Sequence, residues 1–97
     1  MVLFGKFCTK LLFYLSGLQV SWVRRAGDKM QLLSFGHHVY STDQRYELLF
    51  KDPNDWQLRI SYLNERDGGH YECQVSTHPP IAFTVYLAII DEIVIKY

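Results

Sequence analysis

Three side chains in the chain are of the types that form a hydrolytic triad: Ser76, His70 and Asp67. A nucleophile must lie within hydrogen-bond reach of its base. His70 and Ser76 are six residues apart in a segment that alternates like a β-strand, which separates them by about 20 Å. The sequence therefore predicts no triad at these residues and no enzyme.

The histidines are the other candidates for chemistry. His37 and His38 are adjacent, so on a strand they point to opposite faces and cannot hold one ion together. His70 and His78 lie near the two ends of one predicted strand, and the two cysteines form no C-x-x-C pair. We expect no metal site, no cofactor and no small-molecule substrate.

Charge argues against nucleic acid as a partner. Ten acidic side chains balance ten basic ones across 97 residues, and phosphate binding needs a basic surplus. Arg24 and Arg25 stand side by side, and a solvated or structurally paired role explains them more simply than a phosphate site.

A different spacing governs the segment from Arg66 to Pro80. Asp67, Gly69, Tyr71 and Cys73 occupy every second position, which places all four on one side of a strand. An architectural role explains this spacing better than chemistry does.

The rest of the chain supplies the elements around that strand. From Gln19 onward, short apolar runs alternate with turn residues about every ten positions, and no convincing helix interrupts them. This pattern predicts an all-β fold of antiparallel strands, a sandwich or a barrel.

Trp22 on an early strand, "LRI" on a later one and the D-x-G-x-Y-x-C motif resemble an immunoglobulin domain. The resemblance implies an immunoglobulin-like β-sandwich of variable or intermediate type. In it Trp22 fills the centre against a Cys8–Cys73 disulfide, and Tyr71 forms a corner with its hydroxyl on backbone. Asp67 pairs with Arg45, and Gly69 leaves room for the close turn.

A closer likeness is carried by "VSWVRR", "DQRYELLF", "DWQLRI", "RDGGHYECQVSTHPPI" and "VYLAII". Together these are similar to the first immunoglobulin domain of the Dpr (defective proboscis extension response) family of insect neuronal surface proteins. The likeness implies an extracellular or plasma-membrane recognition module that binds DIP-family (Dpr-interacting protein) immunoglobulin domains at synapses. Homodimerisation through the same face is a further expectation, and a truncated non-binding or secreted decoy fragment is the alternative.

Residues 19–90 carry the resemblance and form the predicted domain, followed by a C-terminal tail over 91–97; no membrane anchor is expected within the chain. Residues 1–18 have the outline of a secretory signal and equally that of a buried or displaced first strand. Lys6 and Lys10 flank Cys8 where apolar residues are expected, so the disulfide stays open at this point. We expect a first domain truncated at both ends.

The resemblance implies that the sheet carrying Trp22 and Cys73 also carries the recognition surface. With Trp22, Tyr71 and Cys73 inward, period-two alternation gives the outward positions on two of its strands, but it leaves open which face Gln31 and Leu33 occupy. The predicted partner-binding residues are Val23, Arg25, Gln31, Leu33, His38, Tyr40, Glu72, Gln74 and Ser76.

Overall fold

A computed structural model describes residues 2–4, 19–51, 55–90 and 93–96. Within these ranges nine β-strands follow one another: β1 (Val2–Phe4), β2 (Val20–Ala26), β3 (Lys29–Phe35), β4 (His38–Val39), β5 (Tyr46–Lys51), β6 (Asp55–Ile60), β7 (Gly69–Val75), β8 (Ile81–Ile90) and β9 (Ile93–Lys96). A 3-10 turn, Glu65–Asp67, precedes β7.

The strands form two antiparallel sheets. Three strands lie in the order β1-β6-β5, and six lie in the order β4-β3-β2-β7-β8-β9. Sequence neighbours β2 to β4 share one sheet, β5 and β6 the other, and β7 to β9 return to the first. This all-β sandwich confirms the fold class expected from the sequence.

Alternating apolar residues of both sheets fill the space between them. Trp56, Leu58 and Ile60 on β6 and Tyr71, Cys73 and Val75 on β7 are all buried. Trp22 lies among them with 1% of its surface exposed. The period-two pattern of these strands therefore decides which side chains form the core.

The two ends of the chain contribute strands in the described ranges. Val2 to Phe4 pair with Ile60 to Leu58 of β6. Residues 5–18, including Cys8, lie outside the described residues. Within the expected C-terminal tail, Ile93–Lys96 forms β9 and pairs back onto β8.

We expect core and surface leucines to respond differently to truncation. Leu58 is 1% exposed, so Leu58→Ala should lower the free energy of unfolding by about 3 kcal/mol through lost burial and a residual cavity. Leu32→Ala, at a side chain 40% exposed, should cost about 0.5 kcal/mol.

Thermal and urea unfolding of the purified chain measure both effects. A cooperative transition with this ranking is expected. The absence of any cooperative transition would instead support the alternative that the chain is a fragment with no stable fold.

Candidate protein-recognition face

One buried carboxylate organises the base of the domain. Asp67 is 1% exposed, and Arg45 holds it in a fork: Nη1 donates to Oδ2 and Nη2 to Oδ1, both at 2.7 Å. The backbone N–H of Asn64 donates to Oδ2 at 2.9 Å. Asp43 receives further donors from Arg45, including Nη2 at 2.9 Å. The predicted Arg45–Asp67 pair is thus part of a three-residue ionic cluster.

The cluster keeps Asp67 ionised although it is buried. Desolvation would raise the pKa of this carboxyl, but the hydrogen bonds from Arg45 and Asn64 outweigh it and hold the pKa below its ordinary value. The hydrogen bonds that Arg45 donates to Asp67 and Asp43 raise the pKa of Arg45. Both partners stay charged, and each would be costly to leave alone.

The residues that follow Asp67 form a corner. The Tyr71 hydroxyl donates to the Asp67 carbonyl oxygen at 2.5 Å, and burial raises the pKa of this phenol. Gly69 has φ of +140°, a conformation that L side chains rarely adopt. Cys73 is buried and opposite Trp22 in register. Its predicted partner Cys8 lies outside the described residues, so the Cys8–Cys73 bridge stays a prediction.

The adjacent residues Arg24 and Arg25 lie on opposite faces of the six-stranded sheet. Arg24 Nη2 donates to the carbonyl oxygens of Arg66 and Gly68, and its guanidinium lies 5.5 Å from the centre of the Tyr71 ring. Arg25 points to the other face and pairs with Glu72. Structural pairing accounts for both.

The outer face of the six-stranded sheet is the candidate recognition surface. Val23 lies between Leu32 on β3 and Glu72 on β7 in register. Glu72 accepts from Arg25 Nε and from Gln74 Nε2. Burial would raise the pKa of Glu72, but these donors hold it below its ordinary value. The charges at the centre of this face therefore satisfy each other.

A β-bulge on β3 corrects two of the predicted positions. Trp22 pairs with Ser34 but Val23 pairs with Leu32, so Leu33 is an extra residue between the two pairs. Leu33 is 0% exposed and belongs to the core. Its prediction as a partner contact is wrong. Gln31 pairs with Arg24, on the face opposite Val23, so its placement on the recognition face is wrong as well.

Val23 needs a smaller correction. It lies on the outer side of the sheet, as alternation from Trp22 requires, but only 1% of it is exposed. Neighbouring side chains cover it in the isolated domain. It supports the outer face and is not a free contact.

Because of the bulge, other side chains point outward, and the prediction from the sequence missed most of them. Four large apolar side chains form an apolar strip along β3 and β4: Met30 (54% exposed), Leu32 (40%), Phe35 (48%) and Tyr40 (53%). Only Tyr40 was among the predicted contacts. Period two cannot decide which leucine of "QLLSF" points outward, because a bulge leaves no signal in that run.

Three further predicted contacts lie outside the apolar strip defined above. His38 is opposite Phe35 in register, and its ring lies 4.4 Å from that of Tyr40. Ser76 is exposed at the end of β7, where its hydroxyl accepts from the Gln19 backbone N–H at 2.8 Å. Arg25 is exposed as well, so the strip is bordered by polar groups.

His37, His38 and His70 lie against aromatic rings. His37 lies 5.0 Å from Phe50 and 4.6 Å from Trp56 between ring centres, on the opposite side from His38. Within the described part of the chain, no group of three or more His, Cys, Asp or Glu side chains could hold a metal ion. Among the same residues, no helix is long and apolar enough to cross a membrane.

The sandwich, its buried tryptophan and its tyrosine corner define an immunoglobulin-like domain. No family model matches the sequence. Solved structures do: a complex of Dpr11 IG1 with DIP-gamma matches at 36% identity and TM-score 0.71, over 78% of this chain and 78% of that one. The RIG-5 IG1 homodimer matches at 33% identity and TM-score 0.70, over 78% and 72%.

Among curated proteins, the limbic system-associated membrane protein of Rattus norvegicus is 35% identical over 72 residues. The match covers 73% of this chain and 20% of that protein, so the chain spans a fifth of its relative's length. The chain belongs to the group of immunoglobulin domains found in Dpr, DIP, ZIG and RIG proteins.

We expect the ionic cluster to be a large contributor to stability. Arg45→Ala leaves the buried Asp67 carboxylate without its charged partner and should lower the free energy of unfolding by about 3 kcal/mol. The matched control is Arg59→Ala, which breaks the Arg59–Glu47 pair, whose side chains are 31% and 49% exposed. That exposed pair should contribute less than about 1 kcal/mol.

Double-mutant cycles in urea separate the two pairs. Coupling between Arg45 and Asp67 should exceed coupling between Arg59 and Glu47 by about 1–2 kcal/mol. Equal coupling energies would show that the buried Arg45–Asp67 pair contributes no more to stability than the exposed Arg59–Glu47 pair.

The same carboxylate predicts an acid sensitivity. Its pKa in the folded state lies below the ordinary 3.8, so its stabilisation is complete above that value and is lost as the pH falls through the folded pKa. Urea unfolding between pH 5 and pH 2 should show declining stability in the native sequence. Asp67→Asn should be less stable at pH 5 but should decline less steeply. A parallel decline in both proteins would contradict the assignment.

Proposed function

We propose that the chain is an extracellular recognition module that docks its outer face onto another immunoglobulin domain. The observation that carries this proposal is the apolar strip of Met30, Leu32, Phe35 and Tyr40, each 40% or more exposed on one face of one sheet. Large apolar side chains grouped on a surface and rimmed by polar groups are typical of interaction sites.

The strip has the composition of an interface core. Aromatic residues and methionine are enriched at such cores, and charged residues are depleted. Arg25, Glu72 and Gln74 border the strip and bind each other, so a partner can cover them without leaving a lone buried charge. An interface of standard size would bury about 800 Å² of this face.

The partner class is proposed from the comparisons. Solved relatives include a Dpr11–DIP-gamma complex and RIG-5 and ZIG-8 homodimers, all assembled from such domains. By likeness the chain is a Dpr-like first domain that binds DIP-family immunoglobulin domains. It would act at the neuronal cell surface, in adhesion and synaptic specificity. This role needs a surface for binding and no catalytic group.

Surface plasmon resonance against a panel of DIP-family ectodomains, DIP-gamma included, tests the proposal. Leu32→Asp and Tyr40→Asp should each weaken binding at least tenfold, about 1.4 kcal/mol, because each places a carboxylate in an apolar contact. Leu32 replaces Leu33 as the decisive position, since Leu33 is in the core.

The chain offers a matched control for Tyr40. Tyr62 is 87% exposed, lies after β6 outside the outer face, and has φ of +53°, a conformation that aspartate tolerates. Tyr62→Asp should bind as the native chain does. Undiminished binding by both face variants, or an equal loss in Tyr62→Asp, would refute the proposed face.

A further inference from the structure

The inner face of the six-stranded sheet continues beyond the core, at the hairpin that joins β2 to β3. Along β2 every second side chain faces inward: Val20 and Trp22 are buried, Arg24 is half-buried and Ala26 is exposed. An open pocket of about 420 Å³ lies at this end of the hairpin, lined by Arg24, Ala26, Lys29, Met30 and Gln31. Among the described residues, none from β5 or β6 lines it, so the second sheet leaves this part of the inner face open.

The hairpin register brings the polar side chains of the pocket together. Arg24 pairs with Gln31 and Ala26 pairs with Lys29, so all four lie on the same face. Arginine and lysine side chains are donors only, and the glutamine amide adds two N–H groups. No acidic side chain is among the described residues that line the pocket, and Asp28, in the turn between the strands, does not line it. The pocket therefore offers two positive charges and an amide donor.

These two positive charges are not neutralised within the domain. Salt bridges pair Arg25, Arg45 and Arg59 with carboxylates. Neither Arg24 nor Lys29 forms a salt bridge with a described residue. An anion can thus approach them without displacing a carboxylate that the fold already uses.

The fold holds Arg24 in place before any ligand arrives. Its Nη2 donates to the Gly68 carbonyl oxygen at 3.1 Å and to that of Arg66, and its guanidinium lies 5.5 Å from the centre of the Tyr71 ring. Both acceptors are neutral, so the charge of Arg24 remains, and its Nε and Nη1 donate to no group among the described residues. A side chain that is already fixed loses little freedom when it binds.

We propose that this pocket binds an oxyanion, a sulfate or phosphate ester on a small polar ligand such as a sugar. Arg24 and Lys29 supply the charge and Gln31 donates from its amide, while Ala26 and Met30 contact the uncharged part of the ligand. The pocket has the volume of a small-ligand site, for which about 300–1,000 Å³ is typical.

The oxyanion pocket goes beyond the proposed function and does not rest on it, because the pocket shares only Met30 with the apolar strip. The sequence gave no sign of the pocket, since it places Arg24 beside Arg25, whereas the hairpin places Arg24 beside Gln31.

Nuclear magnetic resonance titration of the ¹⁵N-labelled chain tests the pocket. The probes are N-acetylglucosamine 6-sulfate, N-acetylglucosamine 6-phosphate and the uncharged sugar. At least one ester should shift the resonances of the Arg24 Nε–H and the Gln31 side-chain amide, with a Kd of about 1 mM, as expected for two hydrogen bonds to a charged group. The uncharged sugar should leave both resonances in place. The ester that binds more tightly identifies the source of the oxyanion.

Two substitutions at exposed positions of the pocket should weaken this binding. Lys29→Gln removes one charge and should raise the Kd about fivefold, whereas Gln31→Glu adds a repelling carboxylate and should raise it by about tenfold or more. Neither side chain has a hydrogen bond or an ion pair among the described residues, so both variants should fold as the native chain does. The matched control is Arg59→Gln, which lowers the net charge by the same amount on the other sheet and should bind as the native chain does.

Three results would each overturn the oxyanion pocket. One is the absence of a shift at Arg24 and Gln31 with either ester up to about 50 mM, well above the expected Kd. Another is an equal shift with the uncharged sugar. The third is an equal loss of affinity in Arg59→Gln, which would show a response to net charge and not to the pocket. None of these results bears on the outer face, because Lys29 and Gln31 lie on the opposite one.

Discussion

The burial of one charged carboxylate constrains the rest of the structure. Asp67 can remain ionised inside the domain only while Arg45 and the Asn64 N–H hold it. That requirement ties the residue before β5 to the turn before β7, and these two strands belong to different sheets. The Tyr71 hydroxyl then attaches β7 to the same turn through the Asp67 carbonyl. The relative placement of the two sheets at this end is therefore set by directional bonds, and apolar packing fills the space between them.

Much of the core between the two sheets could be predicted from the sequence, because it depends on strict alternation of buried and exposed residues. Trp56, Leu58 and Ile60 on β6 obey period two without interruption, and so do Tyr71 and Cys73 on β7. The ion pair between Arg45 and Asp67 was expected only because the sequence resembles an immunoglobulin domain. No spacing rule by itself brings together two residues that are 22 positions apart.

The outer face was harder to predict, for a local physical reason. One extra residue in a strand reverses the facing of everything beyond it. Leu33 is that residue, and because of it Leu32, and not Gln31, shares the outer face with Val23. Two adjacent leucines satisfy either register equally well in the sequence, so only the pairing with β2 decides between them. β9 was missed for a different reason: the family resemblance ends near Ile90, so residues 91–97 were expected to be a tail, whereas Ile93–Lys96 pairs with β8.

The residues that stabilise the domain and the proposed recognition surface consequently lie in different parts of the molecule. The ionic cluster and the tyrosine corner lie at the base, whereas the apolar strip lies on β3 and β4, at the edge farthest from β8 and β9. Leu32 is exposed, but it lies beside the buried Val23 on the paired strand β2. A partner would therefore contact a leucine whose backbone is held in the sheet and whose neighbour is already packed. Little conformational freedom then remains to be lost on binding, and a rigid apolar edge needs fewer contacts to hold a partner than a flexible one does. Substitutions along the strip can alter which surface fits it without disturbing Asp67, because the two regions share no hydrogen bond among those described for the chain.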